Sequence, residues 1–145
     1  MKIEAATKIV NIWAKQGLRN IRFSGGEPTL YPKLVELVDL SKDLGINGIA
    51  ISTNGSASRS LYDQLLLSGA NDFSISLDAC CSQQGDAIAG VSGSWEKVIG
   101  NIRWLAARAY VTVGVVLTKE NVGDFNPIIN LADGLRIADI RVITA

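Results

Sequence analysis

Apolar and polar positions along this chain alternate between two periods, helical spacing and short continuous apolar runs. Ile3, Ala6, Ile9, Val10 and Trp13 recur at the spacing of a helix buried on one face, and Gly17 stands where that helix would stop. Asn20 to Ser24 then reads as a strand. Leu34, Leu37, Val38 and Leu44 mark a second helix, closed by Gly45. A strand is predicted at Gly48 to Ser52, a helix from Ser58 to Ser68 ended by Gly69, and a strand from Asp72 to Leu77. Trp95, Val98, Ile99, Ile102 and Leu105 share one face of a long helix over Ser94 to Ala109. Tyr110 to Leu117 is the most β-branched strand. A last helix runs from about Asp124 to Gly134, and Asp139 to Ile143 is the last strand.

Helix and strand alternating from end to end is the pattern of parallel βαβ units, so the fold class is α/β. The central runs are almost wholly apolar, as in strands covered on both faces. A doubly wound open sheet and a (β/α) barrel both satisfy the pattern, and periodicity does not choose between them. The strand ends add information. Each apolar run finishes in small polar residues: Ser24-Gly25, Ser52-Thr53-Asn54, Ser76 with Asp78, Thr118 and Thr144. Carboxyl ends of strands carry the sites of α/β folds, and five such ends at one mouth would form a polar-rimmed pocket.

Composition narrows the chemistry. The 145 residues suit one domain, read as spanning 1–145, without linkers or low-complexity tracts. Basic and acidic residues balance, 14 against 14, which implies no general attraction to nucleic acid or an anionic membrane. No apolar run approaches the roughly 18 residues of a spanning helix. The two cysteines are adjacent, Cys80 and Cys81, so no disulfide framework exists and a reducing cytoplasm is the expected location. Histidine is absent, which excludes Ser-His-Asp and Cys-His catalysis and any His-based metal site within this chain.

One stretch carries the most chemistry: Phe23-Ser24-Gly25-Gly26-Glu27-Pro28-Thr29-Leu30. Two glycines at a strand end let a ligand approach the backbone, Glu27 sets a carboxylate beside them, and Pro28 stiffens the chain that follows. An amino group suits such a place. The run resembles the GGEP motif of radical S-adenosylmethionine enzymes. Ser52-Thr53-Asn54-Gly55 and Ser76-Leu77-Asp78 follow it in order on successive strand ends, and the likeness extends through Gly90 to Trp95 and Val115 to Asn121. The chain is similar above all to the branch of molybdenum-cofactor precursor synthase and the nitrogenase-cofactor and quinone-cofactor maturases.

The resemblance implies a partial (β/α) barrel of about five parallel strands with outer helices, the first strand of the family's six-stranded barrel being absent. It implies S-adenosylmethionine as cofactor, reductively cleaved at a [4Fe–4S] cluster, and hydrogen abstraction from a small-molecule or peptide substrate by an oxidoreductase or maturase. The CxxxCxxC triplet that holds the cluster is not in these residues, so the expectation is a fragment, inactive alone, that begins after the cluster loop. By the same resemblance Gly25, Gly26, Glu27 and Pro28 hold the cofactor's amino group, and Ser76 touches its ribose or carboxylate. Thr53 and Asn54 serve cofactor or substrate, or only a turn, and Asp78 binds or caps its loop. Arg22 matches an arginine that binds the nucleotide substrate of the molybdenum-cofactor enzyme. Thr112 stands where that enzyme has a lysine, and Thr118 ends the same strand on the substrate side. No catalytic residue and no metal ligand is assigned. Cys80 and Cys81 read as ordinary thiols, and Trp13, Trp95 and Trp104 as core anchors.

Two other classes fit less of the sequence: a cluster-free module for a nucleotide-like ligand, and a barrel lyase or aldolase built on Lys119 as Schiff-base lysine. The strand at Asn20 to Ser24, without a neighbour, is expected to invite self-association.

Overall fold

The alternation predicted from periodicity is present in the computed structural model, which describes residues 2–119 and 121–144. Glu120, inside the Val115 to Asn121 stretch, lies outside the described residues. The elements are α1 (Ile3–Lys15), β1 (Asn20–Phe23), a 3-10 turn (Pro28–Leu30), α2 (Leu34–Asp43), β2 (Gly48–Thr53), α3 (Arg59–Ser68), β3 (Asp72–Ser76), α4 (Ser82–Ala89), α5 (Ser94–Ala106), β4 (Tyr110–Leu117), a second 3-10 turn (Val122–Asp124), α6 (Phe125–Gly134) and β5 (Asp139–Thr144). The hydrogen-bonded strand order is β1-β2-β3-β4-β5. Chain order is the order of a barrel wall, whereas a doubly wound sheet would reverse about a central strand. β1 pairs with β2 in parallel, Asn20 opposite Gly48, and β4 pairs with β5 in parallel, Thr112 opposite Asp139.

The chain divides into two compact units. The first lies within Met1–Ser52 and Ala57–Asp72. Its core takes Ala6 and Val10 from α1, Leu34, Leu37 and Val38 from α2, Ile49 and Ile51 from β2, and Tyr62 and Leu65 from α3. The α1 and α2 residues belong to the apolar helix faces read from the sequence, with one correction. Trp13 is 47 % exposed and anchors no core. Trp95 and Trp104 are half-buried in the second unit, Trp95 donating to the Ala79 carbonyl at 3.2 Å and Trp104 lying under Arg108. An amphipathic aromatic ring is stable in such a border position, which periodicity alone does not distinguish from a core one.

The second unit lies within Thr53–Ser56 and Phe73–Ala145. Phe73 and Ile75 of β3, Ile102 and Leu105 of α5, Val111, Val113 and Val115 of β4 and Ile128 of α6 are fully buried. Gly55 has φ +77°, and a Cβ there would meet Ile75 at 2.8 Å and Val98 at 3.0 Å, so both backbone and space require glycine. The helix α4 was not predicted. Gly85 in its middle lowers helix propensity, yet a Cβ at Gly85 would sit 2.2 Å from the Trp95 ring. Packing against a residue ten positions away outweighs the local preference.

Asp86, inside that helix, caps the start of the next, its carboxylate accepting from Gly93 N–H at 2.7 Å and Trp95 N–H at 2.9 Å. The Trp95 amide, then the Gly93 amide, hold its carboxyl below the ordinary carboxylate range. A depressed folded-state value means that the contribution is complete above the unfolded pKa of about 3.9 and is lost as pH falls through the folded value. The Asp86→Ala chain is therefore expected to lose stability relative to wild type at pH 7 and to converge with it as pH falls into the acid range, in urea melts at each pH.

Candidate functional site

In the first unit the chain leaves β1 through Ser24, Gly25 and Gly26. Gly25 and Gly26 have φ +99° and +52°, and open space lies where their side chains would be. The left-handed backbone excludes other residues at modest cost, and the bare backbone admits a ligand. Glu27 follows in extended conformation, and Pro28 begins the 3-10 turn, buried. The Glu27 carboxylate accepts from Thr29 N–H at 3.0 Å and from the Thr29 hydroxyl at 2.6 Å through one oxygen, Oε1. It is thereby oriented before any ligand arrives. Arg22, Ser24, Gly25, Glu27 and Pro28 line a cavity of about 390 Å³ whose remaining walls are mostly apolar, Ile9 and Trp13 among them.

Arg22 is not an unpaired cation. Its Nη1 donates to the Ser52 hydroxyl at 3.1 Å, and its Nη2 pairs with Asp72 Oδ2 at 3.0 Å. Asp72 Oδ1 is buried and has no hydrogen-bond partner. Sequence reading missed both partners, because Asp72 lies fifty positions from Arg22.

In the second unit Thr53 is buried, and its hydroxyl accepts from Gly55 N–H at 3.2 Å. Asn54 is exposed, its Oδ1 accepting from Ser56 N–H at 2.9 Å and the Ser56 hydroxyl at 2.7 Å, the turn that the Asn-Gly pair suggests. Ser76 is exposed at the carboxyl end of β3. Asp78 Oδ1 accepts from Val116 N–H at 2.7 Å, near the end of β4. Asn54, Ser76 and Asp78 line a cavity of about 620 Å³, with Leu77, Ile88 and Trp95 among its apolar walls. Thr53, Thr112 and Thr118 do not line it, and Thr112 is buried within β4. Lys119 is exposed and lines neither of these two cavities.

The residue most clearly missed is Asn121. It is 4 % exposed. Its Oδ1 accepts from Thr118 N–H at 2.8 Å, and its Nδ2 donates to Val116 O at 2.9 Å and Asp78 O at 3.3 Å. One amide thus ties the loop after β4 to the loop after β3. An asparagine in a polar loop carries no pattern that would have revealed it.

The family model of the radical SAM superfamily matches residues 1–132. The chain belongs to this superfamily. Family members use S-adenosylmethionine and a [4Fe–4S] cluster. A probable GTP 3′,8-cyclase of Sulfurisphaera tokodaii is 29% identical over 142 residues, covering 97% of this chain and 45% of that protein. A PqqA peptide cyclase of Rhizobium meliloti is 27% identical, covering 90% of this chain and 35% of its own length. The chain thus spans less than half the length of these relatives. Among solved structures, Streptococcus suis SuiB bound to S-adenosylmethionine superposes with TM-score 0.79 at 20% identity over 95% of this chain and 32% of SuiB. An archaeal TYW1 gives TM-score 0.67 at 21% identity, over 94% of this chain and 51% of its own. At these identities the likeness is one of fold, and it agrees with the five-stranded parallel sheet in chain order.

The residues present fit one cofactor and not the other. Glu27, fixed beside two open glycines, offers an amino group a carboxylate and bare backbone. No cluster of three or more Cys, His, Asp or Glu side chains suited to a metal ion exists among the described residues, and both cysteines are free thiols. The described residues therefore offer no ligand set for an iron–sulfur cluster.

Proposed function

We propose that the chain forms the S-adenosylmethionine cradle of a radical SAM enzyme, with Glu27 and the backbone at Gly25 and Gly26 receiving the cofactor's amino group. One observation carries this reading: the Glu27 carboxylate, oriented by Thr29, on the wall of a cavity beside glycines that leave it open. An ammonium group has three donors and no acceptor, so a carboxylate and carbonyls at a bare backbone suit it. The exposed Ser76 hydroxyl donates and accepts, which matches a ribose or carboxylate oxygen. Pro28 stiffens the glycine loop. We assign Thr53 and Asn54 to the geometry of their turn, and Asp78 to holding the end of β4. S-adenosylmethionine held here would supply radical chemistry for hydrogen abstraction. The contribution of these residues is binding and orientation. Saturation-transfer NMR with S-adenosylmethionine tests the reading. Binding is expected in the millimolar range, since partial contacts must offset an ordering cost of about 4–15 kcal/mol. Micromolar binding without iron would favour a cluster-free binding module instead.

The substrate is best read as peptide-like or neutral rather than as a nucleoside triphosphate. A triphosphate calls for unpaired cations, and Arg22 already shares its charge with Asp72 at 3.0 Å, while Thr112 stands buried on β4. The relatives named above include both a GTP cyclase and a peptide cyclase, and the Arg22–Asp72 pair favours the second kind. GTP added to the chain is expected to produce no saturable NMR shifts. Asp72→Asn, which releases Arg22, is expected to gain weak, salt-sensitive GTP binding. Saturable micromolar GTP binding by wild type would overturn this assignment.

β1 ends the strand order, and Trp13 beside it is exposed. We infer that this unpaired edge associates with a second copy, as sheet edges do. Sedimentation is expected to show mass rising with concentration, and a monomer throughout would dismiss the idea.

A further inference from the structure

Cys80 and Cys81 lie directly after the Leu77-Asp78-Ala79 stretch, where the chain turns into α4. Cys80 is half-buried, and Cys81 is exposed at the N-cap of the helix. The two side chains interact: burial pushes the Cys80 thiol up, and the Cys81 side chain and then the Asp124 carboxylate push it further. Gln84 Oε1 lies 4.0 Å from Cys80 Sγ and 3.4 Å from Cys80 N, and Gln84 Nε2 donates to Asp124 Oδ2 at 2.9 Å, which holds this corner in place.

Three kinds of chemistry are open to such a pair, and two fit poorly. A disulfide between neighbours must bridge Cα atoms about 3.8 Å apart, where disulfides prefer roughly 4.4–6.8 Å. A four-coordinate zinc or iron ion needs further ligands, and no group of three or more metal-binding side chains exists among the described residues. A centre that takes two sulfurs and keeps its own third substituent fits both limits. It also spans the sulfurs at a greater separation than an S–S bond of about 2.05 Å, relieving the strain of the short ring.

We propose that Cys80 and Cys81 form a dithiol site for trivalent arsenicals, RAs(OH)2, at the start of α4. The reaction is a condensation without change of oxidation state. Two As–S bonds form, two As–OH bonds break, and each thiol proton leaves with a hydroxyl as water. Cys81, exposed, reacts first. Cys80, protonated and half-buried beside it, closes the ring. Neither step calls on S-adenosylmethionine or iron, so the site makes the chain sensitive to arsenicals independently of cluster chemistry.

The probe is phenylarsine oxide, which hydrates to this form, added to the reduced chain without oxygen or competing thiols. Intact mass is expected to show one phenylarsenic group per chain, and a thiol assay is expected to show two thiols lost. Cys81→Ser, at an exposed position and expected to keep the wild-type circular dichroism spectrum, should lose affinity by about 100-fold or more, the usual gain from joining two contacts in one molecule. Cys80→Ser is expected to do the same. One arsenic per single thiol, or affinity unchanged in Cys81→Ser, overturns the proposal.

Discussion

Glu27→Gln is expected to remove detectable S-adenosylmethionine binding from this chain while leaving its thermal midpoint within a degree or two. A hydrogen bond to a charged group contributes about 1.5–3 kcal/mol, so its loss weakens binding by roughly 10- to 100-fold. Starting from the millimolar range, that takes the complex beyond measurement. Glutamine retains an acceptor for Thr29 N–H and the Thr29 hydroxyl, so the 3-10 turn at Pro28–Leu30 should persist. The variant thereby separates the charge from the loop geometry. Glu27→Ala loses both and should also shift the turn. Gly26→Ala supplies a complementary test: the carboxylate stays, but a side chain at φ +52° costs about 1–2 kcal/mol of backbone strain. Equal binding by wild type and Glu27→Gln, measured by saturation transfer, would remove Glu27 from the cofactor's amino group.

The second large effect concerns stability. Asn121→Ala removes an acceptor from Thr118 N–H and a donor from two carbonyls, at a site 4 % exposed. Leaving buried polar groups without partners costs about 1–3 kcal/mol. A loss of about 2–3 kcal/mol is expected in urea unfolding, a large fraction of the 5–15 kcal/mol typical of a domain. Asn121→Asp sharpens the test, since a carboxylate still accepts from Thr118 N–H but cannot donate to Val116 O or Asp78 O. It should fall as far as alanine or further, with two carbonyls facing an anion. An Asn121→Ala protein as stable as wild type would show that water replaces the side chain at this junction.

Both predictions rest on groups at strand ends, and these differ in how much a reader of the sequence could see. Glu27 was legible because its chemistry is local: a carboxylate next to two glycines after an apolar run. Asn121 was not, because its partners Asp78 and Val116 are brought to it by the turn of the chain. Asp78 was legible as a residue of interest, and the structure gives its carboxylate to Val116 N–H at 2.7 Å. The Arg22 assignment shows the same division. Resemblance singled the residue out, but the charge it has to offer depends on Asp72.

What the sequence determined by itself is therefore what contiguous residues determine. Helical spacing or short continuous apolar runs selected helix or strand, and glycine positions marked where φ turns positive. Adjacent cysteines excluded a disulfide framework. These are properties of chain segments a few residues long, and they hold before any tertiary contact forms. The strand order β1 to β5 needed the folded chain, because a barrel wall and a doubly wound sheet share one local pattern. So did α4, whose Gly85 is unfavourable in isolation and required against Trp95. So did the pairing of Arg22 with Asp72, the capping of two amides by Asp86, and the burial of Asn121. In each case the deciding energy is packing, a hydrogen bond or a charge pair between residues that only the fold brings together.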